Sequence, residues 1–562
     1  MGDDMNNFEL KLISSYNKCF DNDKVSDFAE MTSGSALKGE FFAFEACMSA
    51  ESYGNVYVKI KSEISDMISV SLVKSVGVRF PVYATNTDDD YLNEKKPGLY
   101  PDLLVPVYEK YGVEIEPGKL TSLWIQADIP ENAKAGKYDI EISVCNREND
   151  ELASAVFTLD IIDAVLPKQT LINTQWFHCD CLATYYGVPM MSERHWEIIE
   201  EFVKTAVKHG QNMLLMPTFT PALDTYVGGE RPTMQLVGVT VNADGTYTFD
   251  FTLVDRWLEM CDRCGVTHYE IAHTFTQWGA AHAPKVMATV NGEYKKIFGW
   301  ETDSLSDEYI GFIRAYLVEF KEYMKNKGLL DKCLFHISDE PAPEHLGTYK
   351  QIHDKLDDLL TDVTCGDALS NYSFYETGAV KCPIVGTDHI TPFLENNVPN
   401  LWCYYCCSQH TKVSNRLIAM TMNRTRVIGM QMFKFDIAGF LQWGYNFYYS
   451  YHSVHPINPY ECNDGGPTNA NGDIWVPAGD TFCVYPAPDG TPFESLHYKA
   501  FAQGLFDMRA MQLAEKLTSK EEVVKLIEDI AGDEILFAKF PSDLDFSEKV
   551  RFAVNELIAS KI

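Results

Sequence analysis

The feature that most constrains this chain is a change of hydrophobic period close to residue 165. Before it, apolar residues alternate with polar ones, as in strands that bury one face. Val56-Tyr-Val-Lys-Ile60, Ile68-Ser-Val-Ser-Leu72 and Leu123-Trp-Ile-Gln-Ala127 read this way, as do residues 138–144 and 155–162. Turn-forming residues separate these runs, most densely at 129–137. The pattern predicts an N-terminal β-sandwich over residues 1–165, with Leu166-Pro167-Lys168 as a linker.

After the change, helical stretches alternate with short apolar runs, the mark of an α/β architecture. Ser192 is a good N-cap for a helix that carries Trp196, Ile199, Phe202, Val203 and Ala206 on one face and stops at Gly210. Further helices are expected over 253–265, from Ser306 to before Gly328, and after Pro343. Between them lie strand candidates at 173–178, 212–216, 269–273, 333–338, 363–366, 384–387, 401–405 and 439–443. Parallel strands in that number predict a (β/α)8 TIM-like barrel with long loops over 170–515. Two amphipathic stretches, 520–530 and 546–558, predict a C-terminal helical extension over 516–562, packed on the barrel.

Charge narrows the partners. With 47 Lys and Arg against 80 Asp and Glu, the net charge is −33, which repels phosphate backbones and anionic membranes. No nucleic-acid partner is expected. No run of about 18 apolar residues occurs, so no membrane span is expected either. The start, Met1-Gly-Asp-Asp-Met-Asn6, is acidic and lacks an apolar signal core. The 15 cysteines follow no regular framework, which suits a reducing compartment, and the reading is cytoplasmic. The pairs Cys261/Cys264 and Cys403/Cys406 have zinc-like spacing, but one falls on a helix face and the other in an apolar aromatic strand, where packing explains them. With no GxGxxG, Walker-type loop or GxSxG elbow, no cofactor and no serine nucleophile are expected.

The sharpest chemical feature is His336-Ile-Ser-Asp339-Glu340-Pro341, at the end of the fourth strand candidate. The C-terminal ends of barrel strands carry the active site. A regular strand would point Asp339 and Glu340 apart, whereas a turning strand end lets both reach one cavity. Most glycosidases oppose two carboxyls about 5–10 Å apart on different elements, a geometry that neighbours fit poorly. Neighbours suit a substrate-assisted reaction, in which the sugar's own 2-acetamido oxygen attacks the anomeric carbon. Glu340 would then be the acid/base, its pKa raised by burial and by its neighbour's charge. Asp339 would hold the acetamido N–H and stabilise an oxazolinium-like intermediate. Taken alone, an Asp-Glu dipeptide is also an ordinary helix cap.

Other strand ends are polar or aromatic too. His178 and Asp180 follow the first, His273 and Trp278 the third, Asp388 and His389 the sixth, and Trp443, Tyr445 and Asn446 the eighth, while His336 and Tyr404 lie on the fourth and seventh. Aromatic rings there can floor a pyranose, and polar groups can bind its hydroxyls. Asp180, Asp388 and Asn446 are the strongest hydroxyl candidates. Two other readings stand beside this one. A non-catalytic sugar-binding barrel would keep the aromatics without needing an ionisable Glu340. A metal-dependent hydrolase would use His178, Asp180, His273, His336, Asp388 and His389, although such barrels commonly begin with His-x-His where this chain has His178-Cys-Asp180.

On Asp339-Glu340-Pro341, Gly439-Phe-Leu-Gln-Trp443-Gly-Tyr445-Asn446 and Gly479-Asp480-Thr-Phe-Cys-Val-Tyr485-Pro486, the chain resembles glycoside hydrolase family 123 and related barrel proteins. The resemblance spans most of the chain. It implies a metal-free, retaining β-N-acetylgalactosaminidase acting on glycans with a terminal β-N-acetylhexosamine. It also implies Asp339 as the acetamido-orienting residue, Glu340 as the acid/base, and Trp443 and Tyr445 beside the sugar.

Overall fold

Eight short parallel strands close on themselves in chain order: Ile172–Gln175, Met213–Met216, His268–Ile271, Cys333–Phe335, Thr364–Leu369, Cys382–Gly386, Trp402–Tyr404 and Gly439–Gln442. They are the core of a computed structural model that describes residues 7–83, 92–466 and 475–562. Each contains part of one of the apolar runs legible in the sequence. The ring closes where the last strand pairs with the first, Ile172 opposite Gly439 and Gln175 opposite Gln442. Both faces of such strands are covered, which is why they read as unbroken apolar runs. Met213, Leu215, Leu334, Ile384, Trp402 and Leu441 fill the interior. Packing there is tight: a Cβ on Gly439 would sit 2.0 Å from the Trp402 ring.

Helices pack outside the ring. Glu193–Lys208 begins where the Ser192 hydroxyl accepts the His195 N–H, and Asp307–Asn326 begins the same way at Ser306. Thr252–Cys264 and Leu346–Leu360 follow the second and fourth strands. After the fifth and sixth strands the helical returns shrink to Ser373–Glu376 and Thr391–Glu395. A four-stranded sheet, built from Gly238–Val241, Tyr247–Asp250, Val286–Val290 and Glu293–Phe298, grows from the loops after the second and third barrel strands.

Two sheets precede the barrel, one of seven strands and one of five. They share one apolar cluster, in which Phe44 of Glu40–Ser49 stacks on Phe157 of Glu151–Val165 with ring centroids 4.1 Å apart. The alternating runs fall inside Gly54–Lys61, Ile68–Val78, Thr121–Ile129, Gly136–Cys145 and Glu151–Val165. The seven-stranded sheet is completed from the far end of the chain, by Tyr485–Pro486 and Pro492–Ser495, with Glu494 opposite Leu104.

The seam between sheets and barrel is rich in ion pairs. His497 Nδ1 lies 2.7 Å from Asp102, and Lys499 Nζ lies 2.6 Å from Glu494. Arg551 holds Glu40 at 2.5 Å and Asp507 at 3.2 Å, and Asp507 in turn takes Arg426 at 2.6 Å. Three helices close the chain: Leu496–Leu517, Lys520–Ala531 and Phe546–Ala559. The last packs on the five-stranded sheet, where Asn555 donates to the Ser35 carbonyl at 3.0 Å. No helix among the described residues is long and apolar enough to cross a membrane.

Candidate active site

The fourth barrel strand ends at Phe335, and the chain then leaves the regular pleat. Glu340 takes a left-handed backbone, φ 43°. That turn removes the alternation that would set two neighbours on opposite faces, and Asp339 and Glu340 both line one cavity of about 560 Å³. Trp278, itself left-handed at φ 57°, donates its N–H to the Asp339 carbonyl at 3.0 Å, and the Glu340 N–H reaches the Ala368 carbonyl at 3.2 Å. Each such conformation costs roughly 1–3 kcal/mol, and clusters of them mark functional sites. The Tyr404 hydroxyl donates to Glu340 Oε1 at 2.7 Å.

The two carboxyls lie in different surroundings. Asp339 is 9% exposed, and its pKa is pushed well above the carboxylate range, first by desolvation and then by the Glu340 charge, against the pull of His336. Glu340 opens to the cavity, so its desolvation is partial. Its pKa is raised by that desolvation and by Asp388, while the Tyr404 hydrogen bond lowers it. The neighbour's charge that the sequence placed on Glu340 therefore weighs on Asp339. Among the described residues neither carboxyl has an ion-pair partner. Burial of both, and the Glu340 charge felt at Asp339, disfavour ionising the two together.

Behind Asp339 lies a charged layer inside the barrel. His336 sits 2.8 Å from Glu270 through Nε2 and 3.3 Å from Asp367 through Nδ1. Burial alone would lower its pKa, but the hydrogen bonds and charges of Asp367 and Glu270 raise it to about 10. Glu270 also accepts from Trp176 Nε1 at 2.7 Å and from the Thr174 hydroxyl. His273 stacks on His336 at 4.3 Å and is kept neutral by burial and by that cation. Ligand atoms of His273, His336 and Asp367 lie within 4.8 Å of one another, the spacing of a metal site. The donors do not fit one. Both nitrogens of an imidazolium carry protons, and Asp367 Oδ1 already takes the N–H groups of Ile337 and Ser338 at 3.0 and 3.3 Å.

Aromatic rings wall the cavity. Trp443 and Trp475 lie 5.5 Å apart, Tyr451 meets Trp475 at 5.2 Å, and Trp278 meets His452 at 5.3 Å. Trp443 is anchored by its Nε1, which donates to Asp480 at 3.0 Å. Burial pushes the Asp480 carboxyl up to about 6. Trp176 and Leu441 form the floor. The structure thus brings Asp339, Glu340, Trp278, Tyr404 and Trp443 together around one space.

The other candidates stand away from that space, each for a visible reason. Asp180 is gripped by Arg231 at 2.7 and 2.9 Å, and Arg231 also donates to His178 Nδ1 at 3.2 Å. His178 donates its one ring N–H, at Nε2, to the Trp443 carbonyl at 2.9 Å, and burial with the Arg231 charge lowers its pKa to about 3. Asn446 accepts the His178 N–H at 2.8 Å. Together these residues brace the loops beneath the aromatic wall. Tyr445 points into the core, donates to the Phe202 carbonyl at 2.8 Å and stacks on Phe177. Asp388 is held by His389 at 2.7 Å and Gln409 at 2.9 Å, and it reaches Glu340 through its charge. His273 and His336 belong to the layer behind Asp339.

Polar and aromatic residues on the cavity wall that were not foreseen as site residues include Asp224, Gln277, Ser408, Tyr451 and His452. They sit in loops far from any recognisable motif, and no periodicity marks them. Trp475 joins them from just beyond residue 474.

Comparison with known proteins agrees with this geometry. No curated protein sequence matches the chain. Among solved structures, a family 123 glycoside hydrolase from Clostridium perfringens, studied for glycolipid glycan hydrolysis, superposes with a TM-score of 0.73. That match covers 98% of this chain and 99% of the other at 17% identity, and so shows the shared fold. The SrpA adhesin from Streptococcus sanguinis covers 45% of this chain and 90% of its own at 11% identity, with a TM-score of 0.15 that carries no structural argument. The model of the glycoside hydrolase 123 catalytic domain matches residues 176–514. That segment runs from the cavity floor at Trp176 past its last lining residue at Trp475, and the chain is a member of glycoside hydrolase family 123.

Proposed function

We propose that this chain is a retaining β-N-acetylhexosaminidase that prefers terminal N-acetylgalactosamine and works by substrate-assisted catalysis. The observation that carries the reading is the placement of two adjacent carboxyls on one left-handed turn, both facing one cavity. A substrate amide N–H donated to Asp339 replaces the hydration it lacks and favours its charged form, and that charge favours a proton on Glu340. Glu340 then protonates the glycosidic oxygen as the acetamido oxygen attacks C1 and the aglycone leaves. Asp339 balances the positive charge on the oxazolinium ring. In the second step Glu340 takes a proton from water, whose oxygen attacks C1 and opens the ring. Two inversions at C1 give net retention.

His336, an imidazolium between Glu270 and Asp367, favours the charged form of Asp339 from behind. Tyr404 fixes the reach of Glu340. The wall of Trp443, Trp475 and Tyr451 offers faces for the pyranose. On this reading the two N-terminal sheets are a sandwich that supports a (β/α)8 barrel, and the fifteen cysteines, none of them in a disulfide, suit a reducing compartment. The sugar substrate belongs to a larger glycan, as in the glycolipid glycan hydrolysis studied with the Clostridium enzyme.

The test compares p-nitrophenyl β-N-acetylgalactosaminide with the β-N-acetylglucosaminide and the plain β-galactoside, using wild type and Glu340→Gln. Release from the acetamido sugars alone, lost in the variant, is expected. Cleavage of the plain galactoside at a similar rate would remove substrate assistance. Silence on all three sugars would favour a binding role.

A further inference from the structure

Beyond the reacting carboxyls, the cavity wall carries two buried polar side chains with unused hydrogen-bonding capacity. Asp224 is 9% exposed and Gln277 is 6% exposed, and both line the cavity. Asp224 Oδ2 and Gln277 Nε2 have no hydrogen-bond partner among the described residues. Buried groups of this kind are normally satisfied, and a neighbouring pair left open on a cavity wall is placed to meet whatever fills the cavity.

Both are held in place. The Asp224 backbone is left-handed, φ 42°, and its N–H donates to Gln277 Oε1 at 2.6 Å. The Ser453 hydroxyl donates to the Asp224 carbonyl at 2.7 Å. Three separate loops thus lock one unfavourable backbone conformation. The contact from Asp224 also settles the Gln277 amide: its oxygen is occupied, so its NH₂ is the free donor. The wall therefore presents one acceptor and one donor side by side, the complement of two neighbouring hydroxyls.

We infer that Gln277 and Asp224 bind the C3 and C4 hydroxyls of the sugar whose bond is broken. This rests on the catalytic roles proposed above for Asp339 and Glu340. The order follows from connectivity. Glu340 serves C1 and Asp339 the 2-acetamido group. Trp278, bonded to the Asp339 carbonyl, puts Gln277 next along the wall, and Asp224 follows through its bond to Gln277. Burial raises the Asp224 carboxyl to about 7, so near neutrality it can accept from a hydroxyl or donate to one. A sugar extended at O3 or O4 would leave these groups unpaired.

The test uses the parent p-nitrophenyl hexosaminide and its 4-deoxy analogue with wild type, Asp224→Ala and the near-isosteric Asp224→Asn, and Glu340→Gln as control. Wild type should lose about 10- to 100-fold in kcat/KM on the 4-deoxy sugar. Asp224→Ala should lose a similar factor on the parent sugar and less than about threefold more on the analogue. Asp224→Asn, with an unchanged melting temperature, should show the same non-additivity in milder form. Equal losses on both sugars, or none, would overturn the assignment, as would wild-type cleavage of a chain whose target sugar carries another at O4. Full activity in Glu340→Gln would instead fail the catalytic reading on its own account.

Discussion

Asp339 and Glu494 are both carboxyls enclosed by protein, and their surroundings drive them in opposite directions. At the open end of the barrel, Asp339 and Glu340 have no cation in contact among the described residues, and both are pushed towards the protonated form. At the seam, burial is opposed by Lys499 and Lys208, which hold Glu494 down at about 2. His209 lies 3.4 Å from Glu494 as well, but burial and the Lys499 charge keep that ring near 3, so it is a neutral neighbour. Asp102 is likewise held low by His497 and Lys18 despite its burial. Enclosure alone does not distinguish a reacting carboxyl from a structural one. What separates these two is a cation in contact, which Glu494 has and Asp339 lacks, together with the cavity that Asp339 faces.

Replacing one member of each region tests that contrast. Glu340→Gln should lower activity on the acetamido glycoside by about 10²–10⁴-fold and leave the melting temperature unchanged or higher, because an unpaired acid is removed. A matching loss of stability would mean that Glu340 is structural. Lys499→Ala should do the converse, costing about 3–5 kcal/mol of unfolding free energy in a urea titration by stranding Glu494, with kcat per folded molecule preserved.

Stability against pH should carry opposite signs in the two regions. Glu494 sits at about 2 against an ordinary 4.5, so its contribution is complete above pH 4.5 and is lost as pH falls towards 2. His336 sits at about 10 against an ordinary 6.5, so its contribution is complete below pH 6.5 and is lost as pH rises through 10. Lys499→Ala should flatten the acid side of the melting curve, and His336→Gln the alkaline side. A variant that flattened the wrong side would break the comparison. The smallest effect is expected of Tyr404→Phe, about 10-fold in kcat with KM little changed. Its hydrogen bond lowers the Glu340 pKa, so the alkaline limb of the rate profile should move up when the bond is removed.

The barrel was readable because its strands are buried on both sides, so that each becomes a short apolar run between helices with polar faces. Elements outside that rule were missed. Leu496–Leu517 is enclosed nearly all round and has no polar stripe to show its period. Gly98–Pro106 carries Pro101 and Pro106, and Glu40–Ser49 buries Glu40 and Glu45, so neither reads as a plain strand. The same division holds in the site. Asp339 and Glu340 stood out because two acids ended an apolar run. Asp180 stood out equally, but its partner Arg231 lies in a loop that no local pattern connects to it. Asp224 and Gln277 gave no signal, because their meaning depends on a hydrogen bond between loops.

The strand Pro492–Ser495, laid against Gly98–Pro106, ties the first sheet of the molecule to residues made after the whole barrel. During synthesis that sheet edge emerges from the ribosome long before its partner exists, and an unpaired edge is a template for wrong partners. Completion of that edge therefore waits on the barrel, a long-range pairing of the kind that slows folding. It also means that the region cannot be trimmed as a detachable module: cutting it away would strip Pro492–Ser495 of its neighbour and leave Lys18 and Asp102 missing from the barrel's flank.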